Sequence, residues 1–340
     1  MYDTEKKVNR IVLTVFSLVT VLLIALRTVI SKKYVEAETG FYIGGETLVL
    51  VFNIVLAVFT IAVLAYPLIK FRKQRLNARP DGKAMGIVSL VLAAGFVYDV
   101  YTSLTIFSTS KACYHFISLF SSARTETTNI VVDIFQGYML LVGAIFALLS
   151  IIYFVIVAFS CLDMARDYSR RSVLSLSPLW WAVFRAIYYI LVPMNFSKMS
   201  DLLYELIMVG FLLLFFSTFA RVASRVDGEN SVGKTIAYGA GAAVFAAISS
   251  VPRLITRVTG TKGVVYTSPQ DAGEIVFKSD YCFMALAVLV FCVGFVFYAL
   301  NKISDGGAYL ESTQEEIDRL ELEFEENEFL EEESDYEDEE

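Results

Sequence analysis

Six ionisable side chains interrupt or flank otherwise apolar stretches of this 340-residue chain: Arg27, Asp99, Asp133, Arg185, Glu205 and Arg253. An ionisable group carried into hydrocarbon costs about 3 kcal/mol and is kept only beside a partner or a cavity. Asp99, in Val97-Tyr98-Asp99-Val100-Tyr101, is the deepest carboxylate, and Arg185 lies near the middle of its own stretch. Asp99 can pair with Arg185 or Arg27, and Glu205 with Arg253. Arg27, Asp99, Asp133, Glu205, Arg253 and Arg257 fall toward one side of the apolar segments, where with Arg185 they would line a pocket for a small molecule or an ion. The same residues would equally serve as static ion pairs that pin helices, a use that buried pairs often have.

Other chemistry is limited by the inventory. His115 is the only histidine, which excludes sites built on paired imidazoles, and no nucleophile is marked beside it for Ser-His hydrolysis. We therefore expect no catalytic residue, no cofactor and no metal, and read the chain as a non-enzyme. Residues Gly228-Glu229-Asn230-Ser231-Val232-Gly233-Lys234-Thr235 fit the P-loop pattern, in which backbone amides cradle phosphate while Lys and Thr reach phosphate and magnesium. Such a loop follows a buried strand, whereas this one lies between two apolar stretches. It reads as a turn relaxed by glycine, with Lys234 at the membrane interface. Of the four cysteines, Cys113 and Cys282 fall on one expected side. In an oxidising exterior they would form a disulfide; two reduced thiols are the equal alternative, because spacing does not determine connectivity.

The elements that must position these groups are transmembrane helices. The chain is 56% apolar and 19% charged, against about a quarter charged in soluble proteins. A helix needs roughly 20 mostly apolar residues to cross hydrocarbon, and eight windows come close: 11–30, 48–69, 84–107, 138–161, 179–194, 202–220, 235–251 and 281–300. The fifth and seventh are weakest, one being short and carrying Arg185, the other being rich in Ala and Gly; seven or even six spans would follow if either fails. Gly239, Ala243 and Ala247 form a small-residue stripe suited to close helix packing. Pro67, Pro193 and Pro252 are expected at span ends, where a proline stops a helix. The expected fold is an all-α polytopic integral membrane protein of about eight transmembrane helices in a bundle.

Orientation follows from Lys and Arg, which accumulate on the cytoplasmic side. With eight spans, the termini and the loops near 70–83, 163–178 and 221–234 share one side and 17 basic residues, against nine on the other. We therefore place both termini in the cytoplasm, with the first span an uncleaved signal anchor and the plasma membrane as the location. On the other side, 31–47 reads as a compact cap around Phe41 and Tyr42, and 264–277 reads as a hairpin.

Charge divides the chain in two. Half of the 36 acidic residues lie between Asp305 and Glu340, so residues 1–300 carry +8 and residues 301–340 carry −16. The domains are accordingly 1–302, the helical bundle, and 303–340, an acidic cytoplasmic tail with a short amphipathic helix near Ile317, Leu320 and Phe324 followed by disorder. Nucleic acid is not an expected partner; the lipid bilayer is, with a small-molecule or ion ligand and a basic cytoplasmic protein as further candidates. Two functional readings follow: a transporter-like permease with an outward charged pocket, and a non-transporting sensor or assembly subunit whose tail recruits a partner.

Overall fold

The computed structural model describes residues 2–34, 42, 47–72, 74–76, 82–109, 113, 131–163, 173–191, 200–224, 231–259, 282–304 and 308–310. Eight helices there are long and apolar enough to cross a membrane, the fifth when counted with the turn that leads into it from Leu174: α1 (Tyr2–Lys33), α2 (Thr47–Lys70), α3 (Lys83–Thr109), α4 (Val131–Asp163), α5 (Ser177–Leu191), α6 (Ser200–Ala223), α7 (Ser231–Val258) and α8 (Cys282–Ser304). The protein is an all-α polytopic membrane protein, and each expected window overlaps one of these helices, with residues 192–194 and 281 of two windows outside the described residues. A membrane-embedded bundle of this kind has the lipid bilayer as its immediate partner.

The two weakest windows both form helices, each for a reason of packing. Helix α5 begins at Ser177-Pro178, where proline at the first turn sacrifices no helical hydrogen bond; a 3₁₀ turn, Leu174–Leu176, leads into it. It buries Trp181, Ala182, Arg185, Tyr188 and Tyr189 as a single stripe at helical spacing. Helix α7 is the most enclosed span, with 83% of its apolar window buried against 11% for α1. A helix surrounded by other helices gains from small side chains that allow close approach, and this composition looks weakly hydrophobic in sequence. The expected end of α7 at Pro252 is corrected: the helix runs through it to Val258. Proline inside a membrane helix is tolerated where neighbouring helices support it, and α7 is the most enclosed of the spans.

Helices α3, α4, α5, α6, α7 and α8 pack in succession, and α8 returns to α3, closing a ring of six; α1 and α2 lie outside it against α7. Phenylalanines fill the ring. Phe154 of α4 meets Phe96 of α3 at 5.8 Å and Phe291 of α8 at 5.1 Å between ring centroids, while Phe219 of α6 meets Phe295 at 5.3 Å. These are favourable aromatic separations, and all five rings are fully buried. Helices α3 and α8 approach so closely that a Cβ added at Gly95 would lie 2.5 Å from the Ala287 Cβ.

A two-stranded antiparallel ribbon joins β1 (Gln74–Leu76), after α2, to β2 (Ala308–Leu310), after α8, with Gln74 opposite Leu310. The ends of α2 and α8 therefore share a face, here called the ribbon face, as an even number of intervening spans requires. The hairpin expected at 264–277 and the helix expected near Ile317 lie outside the described residues; of the cap expected at 31–47, residues 31–33 and 47 belong to α1 and α2, and between 35 and 46 only Tyr42 is described.

Candidate functional site

The helix directions carry Asp99, Arg185, Arg27, Glu205 and Arg253 toward the face opposite the ribbon, and their bonds sort them into two groups. In the first, Arg185 donates through Nη2 to Asp99 Oδ1 at 2.6 Å, and Trp181 donates through Nε1 to Asp99 Oδ2 at 2.8 Å. Arg185 Nη1 also reaches Ser103 Oγ at 3.5 Å. Asp99 and Ser103 are one helical turn apart on α3, as Trp181 and Arg185 are on α5, so two facing edges meet. Helix α4 packs against both α3 and α5, and the ion pair fastens its two neighbours to each other. The rings of Tyr188 and Tyr189 flank the Arg185 guanidinium at 5.7 and 5.6 Å, and Phe96 abuts Trp181 at 4.9 Å. Asp99 is 1% exposed and Arg185 5%. With both carboxylate oxygens occupied and aromatic rings around the pair, the arrangement is a closed clamp.

The second group joins α1, α2, α6 and α7. Arg27 donates to the Tyr42 hydroxyl at 2.8 Å, and Tyr204 donates to Asn53 Oδ1 at 2.7 Å, the two tyrosine hydroxyls being 3.3 Å apart. The Arg27 guanidinium lies 5.1 Å from the centre of the Tyr204 ring. Beside Tyr204 on α6, Glu205 forms an ion pair with Arg253 of α7. The charges expected to line one pocket are therefore divided between these groups: Asp99 takes Arg185 rather than Arg27, and Glu205 takes Arg253, as the sequence allows. Each carboxylate found its base because desolvated opposite charges gain most when directly paired.

Asp133 and Arg257 lie on helices α4 and α7, but their side chains fall outside the described residues, as do His115 and the Cys282 side chain. Cys113 is a half-buried free thiol, and the proposed pairing with Cys282 lies beyond what is described. Among the described residues no three His, Cys, Asp or Glu side chains gather as a metal centre. At the P-loop-like segment, Ser231 opens α7, and among the described residues the element before it is helix α6, not a strand. The buried Thr235 hydroxyl donates to the Ser231 carbonyl at 2.7 Å, which leaves it bonded within its own helix.

A cavity of about 500 Å³ opens in the half nearer the ribbon face, between α1, α2, α7 and α8. Phe16, Val63, Ala240, Val244, Val293 and Val296 give it an apolar wall, and Arg27, Asp99, Arg185, Glu205 and Arg253 are not among its lining residues. Thr20, which also lines it, donates to its own backbone at Phe16, 2.7 Å away. Sequence reasoning missed Trp181, Ser103, Asn53, Tyr42 and Tyr204 as members of the polar groups. A signal existed for two of them, since Trp181 and Ser103 stand four residues from Arg185 and Asp99 and thus share a helix face. No protein-family model matches the chain, and comparison with curated proteins and with solved structures likewise finds no match.

Proposed function

We propose that this multi-pass membrane protein is a non-transporting sensor or assembly subunit rather than a permease with an outward charged pocket. The observation that carries this reading is the closed Asp99–Arg185–Trp181 clamp set against a ring interior packed with phenylalanine. Transporters hold substrate near the midplane among interrupted helices with exposed backbone. Here the ring helices run unbroken through their described lengths, and the charges bind one another. The bundle then serves as a rigid anchor with no catalytic role. The acidic segment after Leu310, held at its start by the ribbon, presents negative charge to a basic partner, in the cytoplasm if the bias of Lys and Arg sets the orientation.

The test is water access to the clamp. Ser103→Cys, made in a background lacking the four native cysteines, should resist membrane-impermeant thiol reagents from both faces of the membrane. Labelling from either face would restore the permease reading. For the tail, cross-linking in membranes with the full chain and with a chain ending at Leu310 should show loss of basic partners that salt also releases; identical partner sets would remove the recruitment role.

A further inference from the structure

We infer that the cavity between α1, α2, α7 and α8 is a binding site for an anionic phospholipid, with an acyl chain in the cavity and the phosphate at Lys70. This inference is independent of the anchor reading. The cavity exists because α7 contributes Ala240, Ala243 and Ala247 to its floor, side chains too small to fill the space up to α1. Its volume of about 500 Å³ matches ligand sites, which run from about 300 to 1,000 Å³, and far exceeds the voids that packed interiors leave empty. The wall offers hydrocarbon almost nothing to hydrogen-bond, and the bilayer supplies hydrocarbon directly.

The charge at the mouth selects the headgroup. The Lys70 ammonium lies 5.5 Å from the Tyr66 ring centre and 5.8 Å from that of Phe71, and both rings line the cavity. The Tyr66 hydroxyl accepts from Lys70 at 3.1 Å, so one cation and one hydroxyl stand together at the rim. Arg72 follows Phe71 as an exposed residue of the same turn. The first turn of α7 closes against this end, since a Cβ at Gly233 would lie 3.0 Å from the Pro67 carbonyl oxygen, and Lys234 comes next in the chain. An apolar slot ending in basic residues at a membrane face is complementary to an anionic lipid in both its parts.

The experiment follows thermal unfolding of the delipidated full-length protein in mixed micelles containing phosphatidylglycerol, phosphatidylcholine or inorganic phosphate alone. A ligand of the folded state raises the unfolding temperature by mass action. Phosphatidylglycerol should stabilise more than phosphatidylcholine, and phosphate alone should do little. Lys70→Gln should weaken the phosphatidylglycerol response about fivefold, the value of one basic group at an anionic headgroup. Ala240→Phe, which fills the slot and leaves the charges in place, should abolish the responses to both lipids. Equal stabilisation by the two lipids, or an equal effect of phosphate alone, overturns the proposal on the wild-type protein, whatever becomes of the variants. A phosphatidylglycerol preference that survives Ala240→Phe also overturns it, by assigning the effect to diffuse surface charge.

Discussion

The half of the bundle away from the ribbon and the half beside it bury opposite chemistry. Away from the ribbon, Asp99, Arg185, Glu205 and Arg253 close on one another. Beside the ribbon, the wall is apolar and about 500 Å³ stays open. Polar groups in hydrocarbon draw helices together until each finds a partner, because an unmatched charge there is expensive. Apolar side chains facing lipid feel no such demand, since lipid tails solvate them as well as another helix would. Intramembrane charge thus marks one place where this bundle is tight, while the apolar faces of α1, α2, α7 and α8 leave an opening.

The largest effect that would test this contrast is expected at the clamp. Asp99→Ala strands the buried Arg185 and should cost about 3–5 kcal/mol in detergent unfolding, whereas Asp99→Leu combined with Arg185→Met should recover most of that loss. A single variant as stable as the wild type would mean that the clamp bears no load. Next is a pair of enlargements. At the tight α3–α8 crossing, Gly95→Leu should destabilise by about 1–3 kcal/mol through overpacking. In the open half, Ala240→Phe in lipid-free detergent should leave stability unchanged or raise it, because filling a cavity restores contacts. Equal losses at the two positions would erase the distinction between the halves. The smallest effect belongs to Tyr204→Phe, which removes the hydroxyl bonded to Asn53 and should cost about 1 kcal/mol, typical of polar contacts between membrane helices. Unfolding with denaturing detergent would read it against the unsubstituted protein.

The polar groups were only partly legible in sequence. The pairs Asp99–Arg185 and Glu205–Arg253 could be anticipated because a charge in an apolar window needs an opposite charge, and few are available. Trp181, Asn53 and Tyr204 carry no such compulsion, since Trp, Tyr and Asn occur in membrane helices for many reasons; only helix placement gave them Asp99, Arg27 and each other as neighbours. Pro252 misled in the same way, since its effect on α7 depended on packing that sequence does not display.

Membership in the membrane, six firm helices and two weak ones, and the half of the bundle that holds most of the charges were legible in sequence alone. Hydrocarbon admits helices of a set length and taxes every ionisable group in them, and both constraints are local. The tertiary structure decided that Arg27 stands apart from Asp99, that α7 is enclosed between its ring neighbours and α1 and α2, that phenylalanines fill the ring and that about 500 Å³ stays open between α1, α2, α7 and α8. These depend on which helix faces which, and among helices dissolved in lipid that choice is made by shape and close approach, as at Gly95 and Ala287, where two backbones meet only because neither residue carries a larger side chain.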